Sequence, residues 1–97
     1  VMPEFPGGMK ALMDFIQKNI RYPEEARKNG IQGRVAVSVV IDENGRVTAP
    51  VIMRSRYPAL DEEALRIVEL MPQWKPGMQL GKAVKVEFTF PVTFKLE

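Results

Sequence analysis

The chain has no cysteine and no histidine in 97 residues, and a single tryptophan. Without the first two there is no disulfide, no thiol nucleophile, no Ser-His or Cys-His dyad and none of the usual zinc or copper ligand sets. Absence of cysteine fits an oxidising compartment, yet many cytosolic proteins also lack it, so composition leaves localisation open. Long hydrophobic runs are missing too. No stretch approaches the roughly 20 apolar residues of a membrane helix, and the start lacks the apolar segment of a secretory signal. Nor is one sign of charge in excess: 14 Lys+Arg stand against 12 Asp+Glu, a formal charge of +2. The basic residues are scattered, which argues against a nucleic-acid partner.

What is present is ordinary globular material, 45% hydrophobic and 27% charged. The length suits one domain, residues 1–97, with one modest core. Val1–Gly8, with two prolines and two glycines, reads as an extended lead-in. Leu12, Phe15, Ile16 and Ile20 then recur at helical spacing, so residues 9–20 are expected to form an amphipathic helix. A shorter helix starts at Tyr22-Pro23-Glu24-Glu25-Ala26, with Pro23 suited to its first position and Asn29-Gly30 suited to ending it.

Val35, Val37, Val39 and Ile41 alternate with their neighbours as a half-buried strand does. Asp42-Glu43-Asn44-Gly45 is a turn, and Val47–Ser55 is the return strand of a hairpin. Pro50 lies inside it, which demands a bulge or a nitrogen facing solvent. A third helix is expected over about Ala59–Met71, with Leu60, Ala64, Ile67, Val68 and Met71 buried and Asp61, Glu62 and Glu63 complementing its dipole. A loop holding Trp74-Lys75-Pro76-Gly77 leads to the last strand, where Val84, Val86, Phe88, Phe90, Val92 and Phe94 point inward and Lys85, Glu87, Thr89, Pro91 and Thr93 outward. The expected core joins Val37, Val39, Leu65 or Ile67, Val86 and Phe88, with Phe15 and Ile16 covering it. The order implies an α+β fold: a three-stranded, mainly antiparallel sheet with helices packed on one face. The last strand takes one edge.

Little of this points to chemistry. Asp42-Glu43-Asn44-Gly45 lacks the further ligands of a calcium loop, and the acidic run 61–63 fans around its helix without converging. Gly7-Gly8 has neither the glycine spacing nor the lysine of a phosphate loop. The expectation is a non-enzyme with no catalytic residue, no cofactor and no metal site. Met9, Met53 and Met71 read as filler at the core or its margin. Trp74 is either a plug over the core or a recognition anchor, and the plug is favoured. The last strand is long, apolar on one side and at an edge; Pro91, Lys85 and Glu87 blunt it, or it accepts an extended peptide as an added strand.

The ordered set Tyr22-Pro23, Ala26, Ile31, Gly33, Val35, Val37, Asp42, Gly45, Val47, Leu60-Asp61, Ala64 and Trp74-Lys75-Pro76-Gly77, followed by the final strand, resembles the C-terminal domain of TonB-type energy transducers. The core would then be residues 22–95. Residues 1–21, with Pro3-Glu4-Phe5-Pro6-Gly7-Gly8, are similar to the N-terminal extension of Bacteroidetes-type members. The resemblance implies a periplasmic domain of an inner-membrane-anchored protein. It implies coupling of proton-motive force from an ExbB/ExbD-type complex to TonB-dependent outer-membrane transporters, whose TonB box adds as a strand beside the last strand. Carried onto this chain, the partner-binding edge is Val84, Lys85, Val86, Glu87, Phe88 and Thr89, and the family motif residues are Tyr22, Pro23, Gly33, Gly45, Trp74, Pro76 and Gly77. Two alternatives stay open: the same domain appended to a BlaR-like membrane sensor or regulatory protein, and a homodimerisation module using the same edge.

Overall fold

The computed structural model describes residues 1–54 and 57–96. Strand β1, Gly33–Ile41, is the centre of the molecule. Its alternation works as the sequence implies: Val35, Val37, Val39 and Ile41 are all fully buried, each worth about 1.5–3 kcal/mol relative to exposure. β2, Val47–Arg54, and β5, Val86–Phe94, flank it in the order β2-β1-β5, and both pairings are antiparallel. Ser55, to which the return strand was expected to run, lies outside the described residues. Phe90, Val92 and Phe94 of β5 join the core, while Phe88 is half-buried against it.

The hairpin turn is held by Asp42, whose Oδ1 accepts from the backbone N–H of Asn44 and of Arg46, both at 2.9 Å. The carboxylate is occupied with turn closure, as the hairpin reading requires. Gly45 has φ 80°, and a Cβ there would lie 1.8 Å from the Trp74 carbonyl oxygen. The turn and the Trp74 segment are in backbone contact, with the Trp74 N–H donating to the Gly45 carbonyl at 2.7 Å.

Helix α1, Gly8–Asn19, begins after Gly7 at φ 91° and buries Leu12 and Ile16. α2 is Glu24–Lys28 and α3 is Pro58–Glu69. Pro23 is the cap of α2 rather than its first residue: its carbonyl already accepts the Arg27 N–H at 2.9 Å. α3 buries Leu60, Glu63, Ala64, Ile67 and Val68, and Met71 is only partly covered. Met9 and Met53 are exposed, which corrects their reading as filler.

Glu63 does more than complement the helix dipole. It is 8% exposed, accepts the Arg21 N–H at 2.5 Å and pairs with Arg66 at 2.7 Å. Arg66 also donates to the Asn19 carbonyl at 2.8 Å, satisfying one of the carbonyls left open at the end of α1. This pair fastens the end of α1 to α3.

A small hairpin escaped the sequence reading. β3, Gly77–Gln79, pairs with β4, Lys82–Val84, through a turn in which Leu80 has φ 50° and Gly81 φ 76°. Val84 therefore belongs to β4, opposite Gly77, and Lys85 falls between strands, so the last strand starts at Val86. The lead-in segment is not a loose tail either. Glu4 and Lys75 exchange backbone hydrogen bonds at 3.0 and 2.9 Å, and Phe5 is buried among core rings.

Candidate functional site

The two outer strands make very different edges. β2 carries two register shifts against β1, the second between Ser38 and Val40, where Ala49 has φ 48° and Pro50 follows. The extra residue at each shift twists and interrupts that edge, and Pro50 contributes no donor. β5 pairs with β1 through nine consecutive residue pairs without a shift, from Gly33↔Phe94 to Ile41↔Val86. Among the described residues nothing pairs with its other side. The regular, open edge is β5.

Which of its backbone groups face outward follows from the ladder. The Asp42 N–H donates to the Arg46 carbonyl at 3.0 Å, and the Thr48 hydroxyl donates to the Val40 carbonyl at 2.8 Å. Even-numbered residues of β1 thus turn their backbone groups toward β2, and odd-numbered ones toward β5. The β5 partners of Val35, Val37, Val39 and Ile41 are Val92, Phe90, Phe88 and Val86, and these point at β1. Glu87, Thr89, Pro91 and Thr93 point away. Pro91, having no N–H, sits where no ladder bond is lost. The free edge offers the amides of Glu87, Thr89 and Thr93, with carbonyls at those positions and at Pro91.

The residues expected at the partner edge are therefore split by the structure. Val86, Glu87, Phe88 and Thr89 lie on β5; Val84 and Lys85 do not. The unpaired edge runs on past Thr89 to Thr93; alternation finds the faces of the strand, and the ladder shows which of its amides turn outward.

The motif residues support this edge from behind. Trp74 is 3% exposed, its ring 5.2 Å from Phe88 and 5.5 Å from Phe5, both at steep angles. It backs the first half of β5. No acceptor among the described residues meets its buried Nε1. Tyr22 backs the other end: its ring stands edge-on to Phe94 at 5.7 Å, and its hydroxyl donates to the Ile31 carbonyl. Burial pushes that hydroxyl's pKa up. Gly33 opens β1 opposite Phe94. Pro76 is half-buried ahead of β3, and a Cβ on Gly77 would lie 2.6 Å from Val86 Cγ2. These residues do not converge on a pocket; they set the ends of the sheet. No group of three or more potential metal-ligating side chains occurs among the described residues, and none of their helices is long and apolar enough to cross a membrane.

Comparison with known proteins places the chain. The model of the Gram-negative bacterial TonB protein C-terminal family matches residues 18–96. Over 80 residues the chain is 38% identical to the protein TonB of Vibrio cholerae serotype O1, an alignment covering 79% of this chain and 32% of that protein. The chain thus spans about a third of the length of that relative. The solution structure of the Helicobacter pylori TonB C-terminal domain is similar at TM-score 0.65 and 26% identity, covering 89% of this chain and 90% of the other. That of the Pseudomonas aeruginosa TonB C-terminal domain gives 0.63 and 29%, over 79% and 78%.

Proposed function

Because the chain belongs to the Gram-negative bacterial TonB protein C-terminal family, we propose that it is the periplasmic partner-binding domain of a TonB-type energy transducer. It takes the TonB box of an outer-membrane transporter as an added strand on β5. The rest of such a protein, anchored in the inner membrane and driven by an ExbB/ExbD-type complex, would deliver energy from the proton-motive force through this contact. The domain itself performs no covalent chemistry in this scheme. It holds a peptide while force is applied.

The observation that carries the proposal is the contrast between the two edges: β2 is bulged twice, whereas β5 is regular over nine residues and, among the described residues, unpaired on its outer side. Strand addition needs a straight run of outward amides and carbonyls, and Glu87, Thr89, Pro91 and Thr93 provide one. Each such hydrogen bond contributes about 0.5–1.5 kcal/mol net, while association costs about 4 kcal/mol or more. A short contact of this kind binds at about micromolar affinity or weaker. Because backbone supplies the affinity, one domain can serve several transporters. Nothing among the relatives favours the sensor reading.

The test is a pair of prolines assayed with a TonB-box peptide by calorimetry. Thr89→Pro removes an outward amide and leaves the β1 ladder whole, so it is expected to keep the fold and lose peptide affinity at least about tenfold. Phe90→Pro removes a ladder bond and is expected to unfold the domain. Wild-type affinity in a folded Thr89→Pro protein contradicts strand addition on β5.

A further inference from the structure

Helix α1 lies almost wholly outside the residues that match the family model, 18–96, yet it reaches the free edge. Leu12 and Ile16 anchor it in the core. Met13, Ile16 and Ile20 also line an open groove of about 380 Å³ whose opposite wall is Pro91, Thr93 and Phe94 of β5. Thr93 is one of the residues whose amide and carbonyl face outward. The groove is thus continuous with the unpaired backbone of β5, on the side where a next strand would lie.

Geometry restricts what can fill it. A strand laid beside β5 sends alternate side chains to opposite faces of the sheet, and those on the helix side drop between β5 and α1. The volume is near the lower end of the about 300–1,000 Å³ of ligand sites, which suits a few side chains. Its floor is aliphatic and aromatic. Among the described residues that line it, Lys95 is the charged one and none is a carboxylate. Met13, unbranched and half-buried, can adjust to aliphatic side chains of different shape. Gln17 is exposed at the mouth.

We propose that α1 is the second wall of the peptide site. It selects an extended partner with an aliphatic side chain that enters the groove and a carboxylate beside it that meets Lys95. This rests on the strand-addition reading above and names what that reading leaves unspecified, the side chains that decide between partners. Met13 and Gln17, outside the residues that match the family model, and Ile20, just inside them, are then specificity-determining residues.

The test titrates the full chain with a short synthetic peptide carrying an Asp beside two valines, and with the same peptide carrying alanines for the valines. The wild type is expected to prefer the valine peptide at least about tenfold, the scale of discrimination for methylene groups in an apolar pocket. Gln17→Trp places a ring over the groove from an exposed helical position, where folding is little affected. It is expected to weaken the valine peptide at least about tenfold and to abolish the preference, with the melting temperature unchanged. Equal affinity of the wild type for both peptides overturns the proposal, as does an unchanged preference in Gln17→Trp. Thr89→Pro separates the two readings: if it loses both peptides while Gln17→Trp behaves as wild type, the edge stands and the groove falls. If Thr89→Pro binds as wild type, strand addition fails and the second-wall role fails with it. A dimer that Gln17→Trp dissolves assigns the groove to a second copy of the chain and likewise overturns the proposal.

Discussion

Replacing Trp74 by alanine separates support from recognition. The indole is 3% exposed and wedged between Phe5 and Phe88, at 5.5 and 5.2 Å. Truncation empties a space bounded by the lead-in segment on one side and β5 on the other. Those walls are tied to different parts of the chain and cannot collapse onto each other freely, so the loss is expected in the range for buried aromatic residues, about 3–5 kcal/mol. The buried Nε1, which meets no acceptor among the described residues, costs energy in the wild type and trims this toward the lower figure. Against the about 5–15 kcal/mol available to a typical domain, the fold survives but is weakened. At about 4–8 °C per kcal/mol for a chain of this size, a 3 kcal/mol loss lowers the melting temperature by about 12 °C or more. Thermal unfolding and peptide titration on the same preparation are the assays. Below its midpoint the variant is expected to bind peptide within a few-fold of the wild type, because Trp74 lies behind β5 and not on its open edge. A variant that keeps its melting temperature and loses the peptide refutes the reasoning and makes Trp74 a recognition anchor.

Other outcomes follow from the same contacts. Gly45→Ala forces a Cβ into the Trp74 carbonyl at a left-handed position; the conformational penalty of about 1–2 kcal/mol and the loss of a bond of about 1 kcal/mol should appear together in urea unfolding. Burial alone would push the Glu63 carboxyl up, but the Arg66 guanidinium, the Arg21 N–H and the charges of both arginines outweigh it and hold the pKa below its usual value. Its contribution is therefore complete above the unfolded carboxylate value of about 4.3 and is lost as pH falls through the lower folded value; Glu63→Gln should be less stable than the wild type at pH 7, with the gap closing in acid. Phe90→Ala, truncating a ring 1% exposed, should cost about 3–5 kcal/mol by chemical denaturation, and more than Phe88→Ala, whose side chain is only half-buried.

The parts of the fold that repeat a simple period are visible in the sequence. Val35 to Ile41 announces a strand with one buried face, and Leu12, Ile16, Leu60 and Ile67 announce the helices over it. Pro50 announces the bulge that spoils the β2 edge. The β3–β4 hairpin is not legible, because its strands have three residues each and Leu80 stands where a two-residue turn usually has asparagine or glycine. Without it, the alternation runs the last strand back through Lys85 to Val84. The long-range pairs are hidden for a different reason. Arg21 meets Glu63 across 42 positions, and no local pattern encodes that meeting. The candidate edge is half legible: alternation finds the strand, but the Asp42–Arg46 and Thr48–Val40 bonds in space fix which amides face outward.

The most direct measurement is amide chemical-shift mapping of the labelled domain on addition of a TonB-box peptide. The largest shifts, and new protection from hydrogen exchange, are expected at the amides of Glu87, Thr89 and Thr93, with those of Phe88 and Phe90 already protected before the peptide is added. Shifts confined to Val47–Arg54, with β5 silent, would contradict it.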